Sequence, residues 1–485
     1  WPRGSCTTGG TSRRWKGSWP SSTGPKSDPG LSSCPCSPVA RRRPPHEPRL
    51  TLRPEKTDEG LVREIGPLGL TAAVVNVVVG GGIFVLPAAV AGELGAAGPL
   101  AYVACGVALL LVTLSFAIAG SQVSRTGGAY AYIEAAFGPF PGYLAGVLAW
   151  LSGVLASAGL IAALAGIATR NDPRLQGRAI QILLIVMIYV GPVALNLLGI
   201  RTGARLIVGA TAAKVGTLIL FLLLAAPAVD PSNLHWTGSV DPAHLGRAAI
   251  LAFFSLAGME AAIGASGEIR EPNRTVPVAL LTGMVLVVGL YVAIHVVAQG
   301  VLGSGLSSSS APLADAVGAA GHGGRALVLA GMAFSMLGLL AGNLLGCSRI
   351  LFAFARDGVL PAGVARLHPR TRIPFVAVLI QASVVVVLAA TRTFVKLAIL
   401  ASLTGAILYG MACAAAVVLA RKATRQEGLR IPVALQRLLA AGGAACMLWL
   451  AAQSTWSEFG AIAATLLAAA LVFALTARAR RARDS

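Results

Sequence analysis

The sequence predicts an all-α integral membrane protein with twelve transmembrane helices. Apolar residues make up 55% of the 485 residues, charged residues only 12%, and the mean hydropathy is +0.75. The apolar residues also run together in long blocks rather than at the spacing of amphipathic helices or strands. A soluble domain of this length could not cover so much apolar surface with its polar groups, so lipid is the solvent that fits.

Twelve apolar segments follow one another along the chain. Each has close to the roughly 20 residues that a helix needs to cross the hydrocarbon core. Backbone groups cannot stay unpaired in lipid, so these segments are predicted to be helices and not strands. In order, segments 1 to 12 span approximately 68–91, 97–120, 141–168, 179–199, 205–228, 248–267, 276–302, 326–352, 374–390, 397–420, 432–452 and 458–476.

A basic tail precedes these segments. Residues 1–63 are rich in Ser, Pro, Gly and Arg, lack an apolar period and are predicted to be disordered. The chain begins with Trp1, and the tail is set aside from the functional interpretation. A membrane domain is predicted over 64–478 and a short cytoplasmic tail over 479–485.

The net charge of +20 indicates the orientation of the chain in the membrane rather than nucleic-acid binding. Twelve of the 39 Lys and Arg residues lie in the tail, and most others lie in short loops, with no basic stripe interleaved with aromatics. Even-numbered loops and both termini carry the larger share, which predicts that both termini are cytoplasmic. Arg170, Arg174 and Arg178 run against this bias. The Ala-, Gly-, Val- and Arg-rich composition favours a bacterial inner membrane.

Two segments are interrupted at matching positions. Segment 1 contains Val79–Pro87 (VGGGIFVLP), with three glycines and a proline, and segment 6 contains the softer interruption Phe253–Gly258 (FFSLAG). The two segments would be equivalent members of a five-plus-five inverted repeat, segments 1–5 and 6–10, followed by two C-terminal helices. Paired broken helices of this kind indicate a transporter site.

The chemistry of such a break suits an amino acid. A half-helix that begins there offers N–H donors and the positive end of its dipole to a carboxylate. Carbonyl groups of the preceding half-helix can accept hydrogen bonds from an ammonium group. The alternative is that the glycines only allow close packing of helices.

Four motifs carry a resemblance to a known family. They are GGGIFVLP at 80–87, RTGGAYAY with a following FG at 125–138, EIREPNRTVP at 268–277, and SRILFAFARDGVLP at 348–361. In this order and on these loops they resemble the amino acid–polyamine–organocation (APC) superfamily over nearly all of 64–478. The resemblance implies the LeuT-type inverted-repeat fold. Gly81 is a departure, because many relatives have Ser there.

The resemblance also implies which residues bind the substrate. The carboxylate would lie on the N–H groups of Gly81 and Gly82, and the ammonium group on the carbonyls of Val78, Phe254 and Ala257. Phe254 would cap the substrate as a gate, unless it is a plain core aromatic. Leu256 is a further candidate for side-chain contact. The predicted substrate-binding residues are Val78, Gly80, Gly81, Gly82, Ile83, Trp150, Ser157, Phe254, Ser255, Ala257, Gly258 and Asn343. None is a carboxylate, which favours neutral substrates.

Two ionisable residues at bilayer depth are candidates for proton coupling. Lys214 lies nine residues past Arg205 and therefore about 14 Å deeper along its helix, where burial favours the neutral amine. In the resemblance it takes the place of a sodium ion, so it carries the coupling proton or is a fixed cation bridging segments 5, 1 and 8. The alternative is a structural pairing with carbonyl groups. Glu260, two residues past Gly258, supports coupling or bonds to a neighbouring helix, and His295 is expected to be a packing residue.

The predicted function is a secondary active transporter for amino acids, with proton-coupled uptake by alternating access. Its partners are a small amino-acid-like substrate, the proton and the bilayer. An amino acid/amine (polyamine) antiporter and a non-transporting membrane sensor on the same fold are the alternatives. The sequence contains no H-E-x-x-H, G-x-S-x-G, C-x-x-C or P-loop motif and no cysteine set at zinc spacing. We therefore expect no enzyme activity, no cofactor and no metal.

Overall fold

A computed structural model describes ten parts of the chain, all of them within one compact unit that spans 57–485. The described residues are 66–120, 129–171, 173–198, 200–236, 238–259, 269, 272–321, 323–369, 371–422 and 432–484. The predicted tail at 1–63 and the candidate Glu260 lie outside these residues.

The described chain is helical, which confirms the predicted all-α class. Fifteen α-helices are found in the described residues. They are α1 (Pro67–Val78), α2 (Leu86–Leu94), α3 (Pro99–Gly120), α4 (Ala129–Phe137), α5 (Pro139–Asn171), α6 (Arg178–Leu198), α7 (Ile200–Ala225), α8 (Pro242–Leu256), α9 (Pro272–Leu302), α10 (Pro312–Ala319), α11 (Arg325–Arg356), α12 (Phe375–Thr391), α13 (Phe394–Lys422), α14 (Val433–Ala451) and α15 (Trp456–Asp484).

Each predicted segment corresponds to one helix or one pair of helices. Within the described residues, eight helices are long and apolar enough to cross a membrane, namely α3, α5, α6, α9, α11, α13, α14 and α15. Segments 1, 5, 6 and 9 correspond to shorter apolar helices. The total of twelve crossings and the inverted repeat therefore stay predictions. Helix α15 continues to Asp484, so the predicted C-terminal tail at 479–485 is helical over its described part.

Helices α4 and α10 were not predicted from the sequence. With nine and eight residues, both are too short to cross the hydrocarbon core. Helix α10 begins at Pro312, where proline loses no helical hydrogen bond, and Asp315 in its first turn pairs with Arg325 at 3.0 Å. Both helices lie between apolar segments, where a hydropathy pattern gives little information about short helices.

Segment 1 is broken where its glycine run predicts. Helix α1 ends at Val78, and Val79 has ψ 83°, which stops the helical hydrogen-bond pattern. A 3₁₀ turn at Gly82–Phe84 then leads into α2, which carries Pro87 in its first turn. Proline is tolerated there because the first N–H groups of a helix have no acceptor within it.

Segment 6 is broken at the end of α8. Ala257 is extended, with ψ 162°, and Gly258 has φ +118°, a backbone conformation that favours glycine. Helices α3, α5, α9, α11 and α13 surround the two breaks, and α6 and α15 lie at the periphery with many exposed apolar side chains. An apolar periphery around a buried centre is typical of a protein that faces lipid.

Candidate functional site

A cavity of about 440 Å³ lies where the two broken helices meet. It is lined by both breaks and by α5, α7, α11 and α13. The lining residues include Asn76, Val78, Gly80, Gly81, Gly82, Ala149, Ser152, Gly153, Ala156, Leu160, Thr211, Lys214, Phe254, Ser255, Ala257, Gly258, Ser335, Gly338, Gly342, Asn343, Gly346, Ser402 and Tyr409. Among the described lining residues, Lys214 carries the single charged side chain.

The two breaks are in direct contact. A Cβ atom placed on Gly82 would lie 3.0 Å from Phe254 Cδ1 and 3.1 Å from Ser255 Cβ. Both separations are tighter than ordinary van der Waals contact, so the absence of a side chain at Gly82 allows the approach. The break in segment 1 therefore faces the break in segment 6 across a few ångströms, as the pairing of interruptions predicts.

The half-helix that starts at the first break presents backbone donors. The first hydrogen bonds of its turn run from Phe84 N to Gly81 O at 3.3 Å and from Val85 N to Gly82 O at 3.0 Å. The N–H groups of Gly82 and Ile83 precede these bonds and have no acceptor inside the turn. They lie at the positive end of the half-helix dipole, which is a suitable place for a carboxylate.

The second break frees a carbonyl group. Ala257 N donates to Phe253 O at 2.8 Å and closes the last turn of α8. Gly258 N would continue the helix by bonding to Phe254 O, but it donates to the hydroxyl of Tyr409 at 3.0 Å instead. The Phe254 carbonyl therefore loses its helical donor, and a carbonyl of this kind can accept a hydrogen bond from an ammonium group.

Tyr291 connects the carbonyl groups of both breaks. Its hydroxyl lies 3.2 Å from Val78 O and 3.1 Å from Ser255 O, and the side chain is completely buried in α9. A hydroxyl has one proton, so it donates to one of these oxygens at a time. Tyr291 and Tyr409 were both missed by the sequence analysis, because a single tyrosine in an apolar segment looks like a core residue.

Lys214 is bonded to the end of α1. Its Nζ donates to the backbone oxygen of Asn76 at 2.5 Å and to Asn76 Oδ1 at 3.0 Å, and the residue is buried. Asn76 lies in the last turn of α1, where the negative end of the helix dipole stabilises a cation. Lys214 was predicted to bridge segments 5, 1 and 8. These hydrogen bonds join segment 5 to segment 1. Asn76 is a polar residue in an apolar segment, a signal that the sequence analysis passed over.

Gly81 packs closely against side chains of two neighbouring helices. A Cβ atom at Gly81 would lie 2.9 Å from Leu160 Cδ2 and 3.1 Å from Met336 Cγ. The side chains of α5 and α11 thus occupy the space in which a serine would stand. Apolar side chains therefore pack against the backbone of the break at Gly81.

Asn343 orients the side of the cavity formed by α5 and α11. Its Nδ2 donates to Gly153 O at 3.0 Å and to Ser157 Oγ at 3.2 Å. Ser157 itself donates to Gly153 O at 2.9 Å and is fully buried. Ser157 therefore contacts a lining residue without lining the cavity.

Most of the predicted binding residues lie together at this cavity, and a few do not. Val78, Gly80, Gly81, Gly82, Phe254, Ser255, Ala257, Gly258, Asn343 and Lys214 line it. Ile83 and Leu256 are fully buried and Trp150 is half-buried, and none of these three is among the lining residues. The polar lining residues Ser152, Thr211, Ser335 and Ser402 were not predicted from the sequence, because helix rotation decides which small residues face inward.

The matched family model describes an amino acid permease and covers residues 65–477. The chain belongs to the amino acid permease family. This assignment confirms the resemblance carried by the four sequence motifs. Together with the apolar helices, it makes this permease an integral membrane protein.

Individual relatives of the permease are similar over most of their length. An uncharacterized transporter from Mycobacterium tuberculosis is 30% identical over 347 residues, which cover 71% of this chain and 77% of the relative. The serine/threonine exchanger SteT of Bacillus subtilis is 26% identical over 392 residues, or 76% and 86% of the two chains. The branched-chain amino acid permease BcaP of the same species is 25% identical over 338 residues, or 66% and 73%.

Proposed function

We propose that this permease is a secondary active transporter that takes up neutral amino acids together with protons, by alternating access around the cavity at the two breaks. The observation that carries the proposal is the contact between the breaks at Gly82 and Phe254. It places backbone donors of one half-helix and freed carbonyls of another around a single cavity. Such an arrangement recognises the two charged groups shared by all α-amino acids.

Recognition of the amino acid backbone is assigned to main-chain groups. The N–H groups of Gly81 and Gly82 bind the carboxylate, and the carbonyls of Val78, Phe254 and Ala257 bind the ammonium group. Since Tyr291 already donates to Val78 O or Ser255 O, an incoming ammonium group competes with its hydroxyl or uses the second lone pair of the oxygen.

A neutral substrate side chain fits the remaining surface. Among the described residues of the cavity no carboxylate is present, and Lys214 is bonded to Asn76. Gly338, Gly342 and Gly346 on one face of α11 leave room for the substrate, and Asn343, Ser152 and Ser402 add polar contacts.

Lys214 is assigned to proton coupling, with Glu260 as a second candidate outside the described residues. A charged ammonium group holds the end of α1 through Asn76, whereas a neutral amine loses the attraction to the negative end of the helix dipole. Release of the proton thus weakens the bond between α7 and the half-helix that leads to the break. The permease is assigned to the bacterial inner membrane from its Ala-, Gly-, Val- and Arg-rich composition. Both termini are assigned to the cytoplasm from the distribution of Lys and Arg.

Uptake into proteoliposomes tests the proposed function. Labelled neutral, cationic and anionic amino acids and polyamines are offered with and without an inward proton gradient, using empty liposomes as the control. We expect accumulation of neutral amino acids that depends on the gradient and disappears with a protonophore. Failure of every amino acid to be transported or to compete would exclude the substrate class.

An exchanger is the second candidate, because SteT is an exchanger. It predicts uptake only into liposomes preloaded with an amino acid, independent of the proton gradient. A sensor on the same fold predicts binding without any flux.

A further inference from the structure

A stripe of polar side chains runs along one buried face of α9. Tyr291, His295 and Gln299 follow each other at four-residue spacing, so they lie on the same face of the helix and extend over about 12 Å. All three are buried, with 0%, 0% and 4% of their surface exposed. Tyr102 of α3 packs against this stripe and is itself completely buried.

Several polar atoms of this stripe and of the adjoining Tyr102 have no hydrogen-bond partner among the described atoms. They are Tyr102 Oη, both ring nitrogens of His295, and Gln299 Oε1. The Tyr102 ring lies 5.4 Å from the His295 ring and 6.1 Å from the Tyr291 ring, measured between centroids. Buried polar atoms are nearly always satisfied by protein or by ordered water, so this concentration points to water as their partner.

The position of the His295 ring depends on a glycine. Gly98 lies directly before α3, and a Cβ atom placed on it would overlap His295 Nε2. The imidazole therefore occupies the space in which any other residue at 98 would hold a side chain. His295 is not simply filling an apolar gap, because a leucine or phenylalanine would do so without leaving two unpaired nitrogens.

The stripe connects the helix breaks with an exposed turn. At one end Tyr291 donates to the carbonyls of Val78 or Ser255. At the other end Gln299 Nε2 donates to Asn233 O at 3.3 Å and to Gly303 O at 3.2 Å. Asn233 belongs to the 3₁₀ turn Pro231–Leu234, in which Pro231 and Ser232 are exposed.

We propose that Tyr102, His295 and Gln299 hold a short file of water molecules that relays protons between the Pro231–Leu234 turn and the helix breaks. Tyr102, His295 and Gln299 do not line the cavity, which the route reaches only at Val78 and Ser255, and the proposal rests on the proposed proton coupling. Neutral imidazole accepts a proton on its bare nitrogen and releases the one on its other nitrogen. The step consumes no other reactant and leaves the histidine neutral.

Charged groups on the elements around α9 are engaged elsewhere. Glu93 of α2 pairs with His244 and Arg247, and Asp315 of α10 pairs with Arg325. Lys214 of α7 is bonded to Asn76. Asp230, beside the turn, is exposed and accepts a hydrogen bond from Ser232 N. Tyr102 and Cys105 are the titratable groups of α3, and Tyr291 is the neighbour on α9 itself. None of the described charged side chains is among the contacts of His295, whose neutral imidazole can both accept and donate a proton.

Transport by variants of His295 tests the relay. Purified His295→Gln and His295→Phe permeases are reconstituted and compared in proton-driven uptake and in counterflow, which exchanges substrate without net proton movement. We expect proton-driven uptake to fall to the level of empty liposomes while counterflow stays as in the wild type. Parallel loss of both activities, or retention of both, would overturn the relay.

Two further variants separate the relay from folding. Gly98→Ala displaces the imidazole without removing it and is expected to reduce proton-driven uptake selectively. Gln381→Leu removes another fully buried side chain that has no hydrogen-bond partner among the described atoms, but on α12, and is expected to leave the ratio of the two activities unchanged. An equal shift of that ratio in Gln381→Leu contradicts a specific role for the stripe.

The water file is tested independently of transport. Radiolytic hydroxyl labelling of the wild-type permease, normalised to the denatured protein, is expected to modify Tyr102 and His295 more than buried Met284, which lies about two turns before Tyr291 on α9. Labelling no greater than that of Met284 overturns the file, whatever ion drives transport. If the stripe is labelled but uptake does not depend on the proton gradient, the water file is supported. The same result rejects both the proton-coupled function and the proton relay.

Discussion

The ammonium group of Lys214 lies 2.5 Å from the backbone oxygen of Asn76, a residue in the last turn of the half-helix that ends at Val78. This bond joins α7 to the break in segment 1. Because the oxygen belongs to the backbone, substitution of Asn76 cannot remove it. The lysine is therefore the partner through which the bond can be tested.

Replacing Lys214 by alanine removes this bond and the positive charge. We expect Lys214→Ala to lose accumulation driven by a proton gradient while it retains exchange, and to lose about 1.5–3 kcal/mol of stability, as for a hydrogen bond to a charged group. Uptake and counterflow in proteoliposomes measure the first effect, and thermal unfolding in detergent the second. Asn76→Ala, which keeps the backbone oxygen, is the matched control with a smaller effect. Full accumulation by Lys214→Ala would reject the coupling role.

Replacing Tyr291 by phenylalanine removes a donor that serves Val78 O and Ser255 O but keeps the ring. We expect the variant to be less stable by about 0.5–1.5 kcal/mol, because a buried carbonyl is left without its donor. Tyr189→Phe is the control, since the hydroxyl of Tyr189 is buried without a partner among the described atoms. Equal melting temperatures of the two variants would show that the hydrogen bonds of Tyr291 to the two breaks contribute nothing to stability.

Introducing serine at Gly81 places a side chain against Leu160 and Met336. We expect Gly81→Ser to bind substrate more weakly and to lose about 1–3 kcal/mol of stability, as overpacked sites do. Shortening the obstructing side chain in the double variant Gly81→Ser/Leu160→Ala should recover part of both losses. Binding isotherms and unfolding for the full double-mutant cycle measure the coupling. Additive effects would contradict direct packing between these residues.

Replacing Gly258 by alanine forces a side chain into a backbone with φ +118°. We expect a loss of about 1–3 kcal/mol from backbone strain and a loss of transport, because the break in segment 6 must change shape. Gly92→Ala in α2 is the control, since a Cβ atom there has no neighbour within 4 Å. A Gly258→Ala permease as active and stable as Gly92→Ala would show that the left-handed conformation is dispensable.

The broken helices were predictable because their cause is local. Three consecutive glycines with Pro87 weaken a helix wherever they occur, and Gly258 permits the left-handed backbone that ends α8. The contacts of the breaks were not predictable in this way. Tyr291 and Tyr409 reach them from α9 and α13, more than thirty residues beyond either break. Their partners depend on which helices are neighbours.

Helix packing, and not local sequence, also decides which individual residues line the cavity. Phe254, Ser255 and Asn343 line the cavity, whereas Trp150 and Ser157 of α5 do not. On α5 the lining face contains Ala149, Ser152, Gly153 and Ala156, and its neighbours in sequence point elsewhere. A rotation of this helix by one residue, about 100°, exchanges the two sets, and apolar periodicity does not fix that rotation when lipid and core are equally apolar.

The sequence by itself determined the membrane class, the apolar segments, the places where two helices break and the family. These follow from hydropathy, from the backbone freedom of glycine and from local motifs, which act over a few residues. Only the tertiary structure decided that the breaks contact each other at Gly82 and Phe254, that Lys214 bonds to Asn76, and that unpaired polar atoms collect around His295. The physical reason is that each of these relationships joins residues far apart in the chain, and their distances are fixed by how the helices pack.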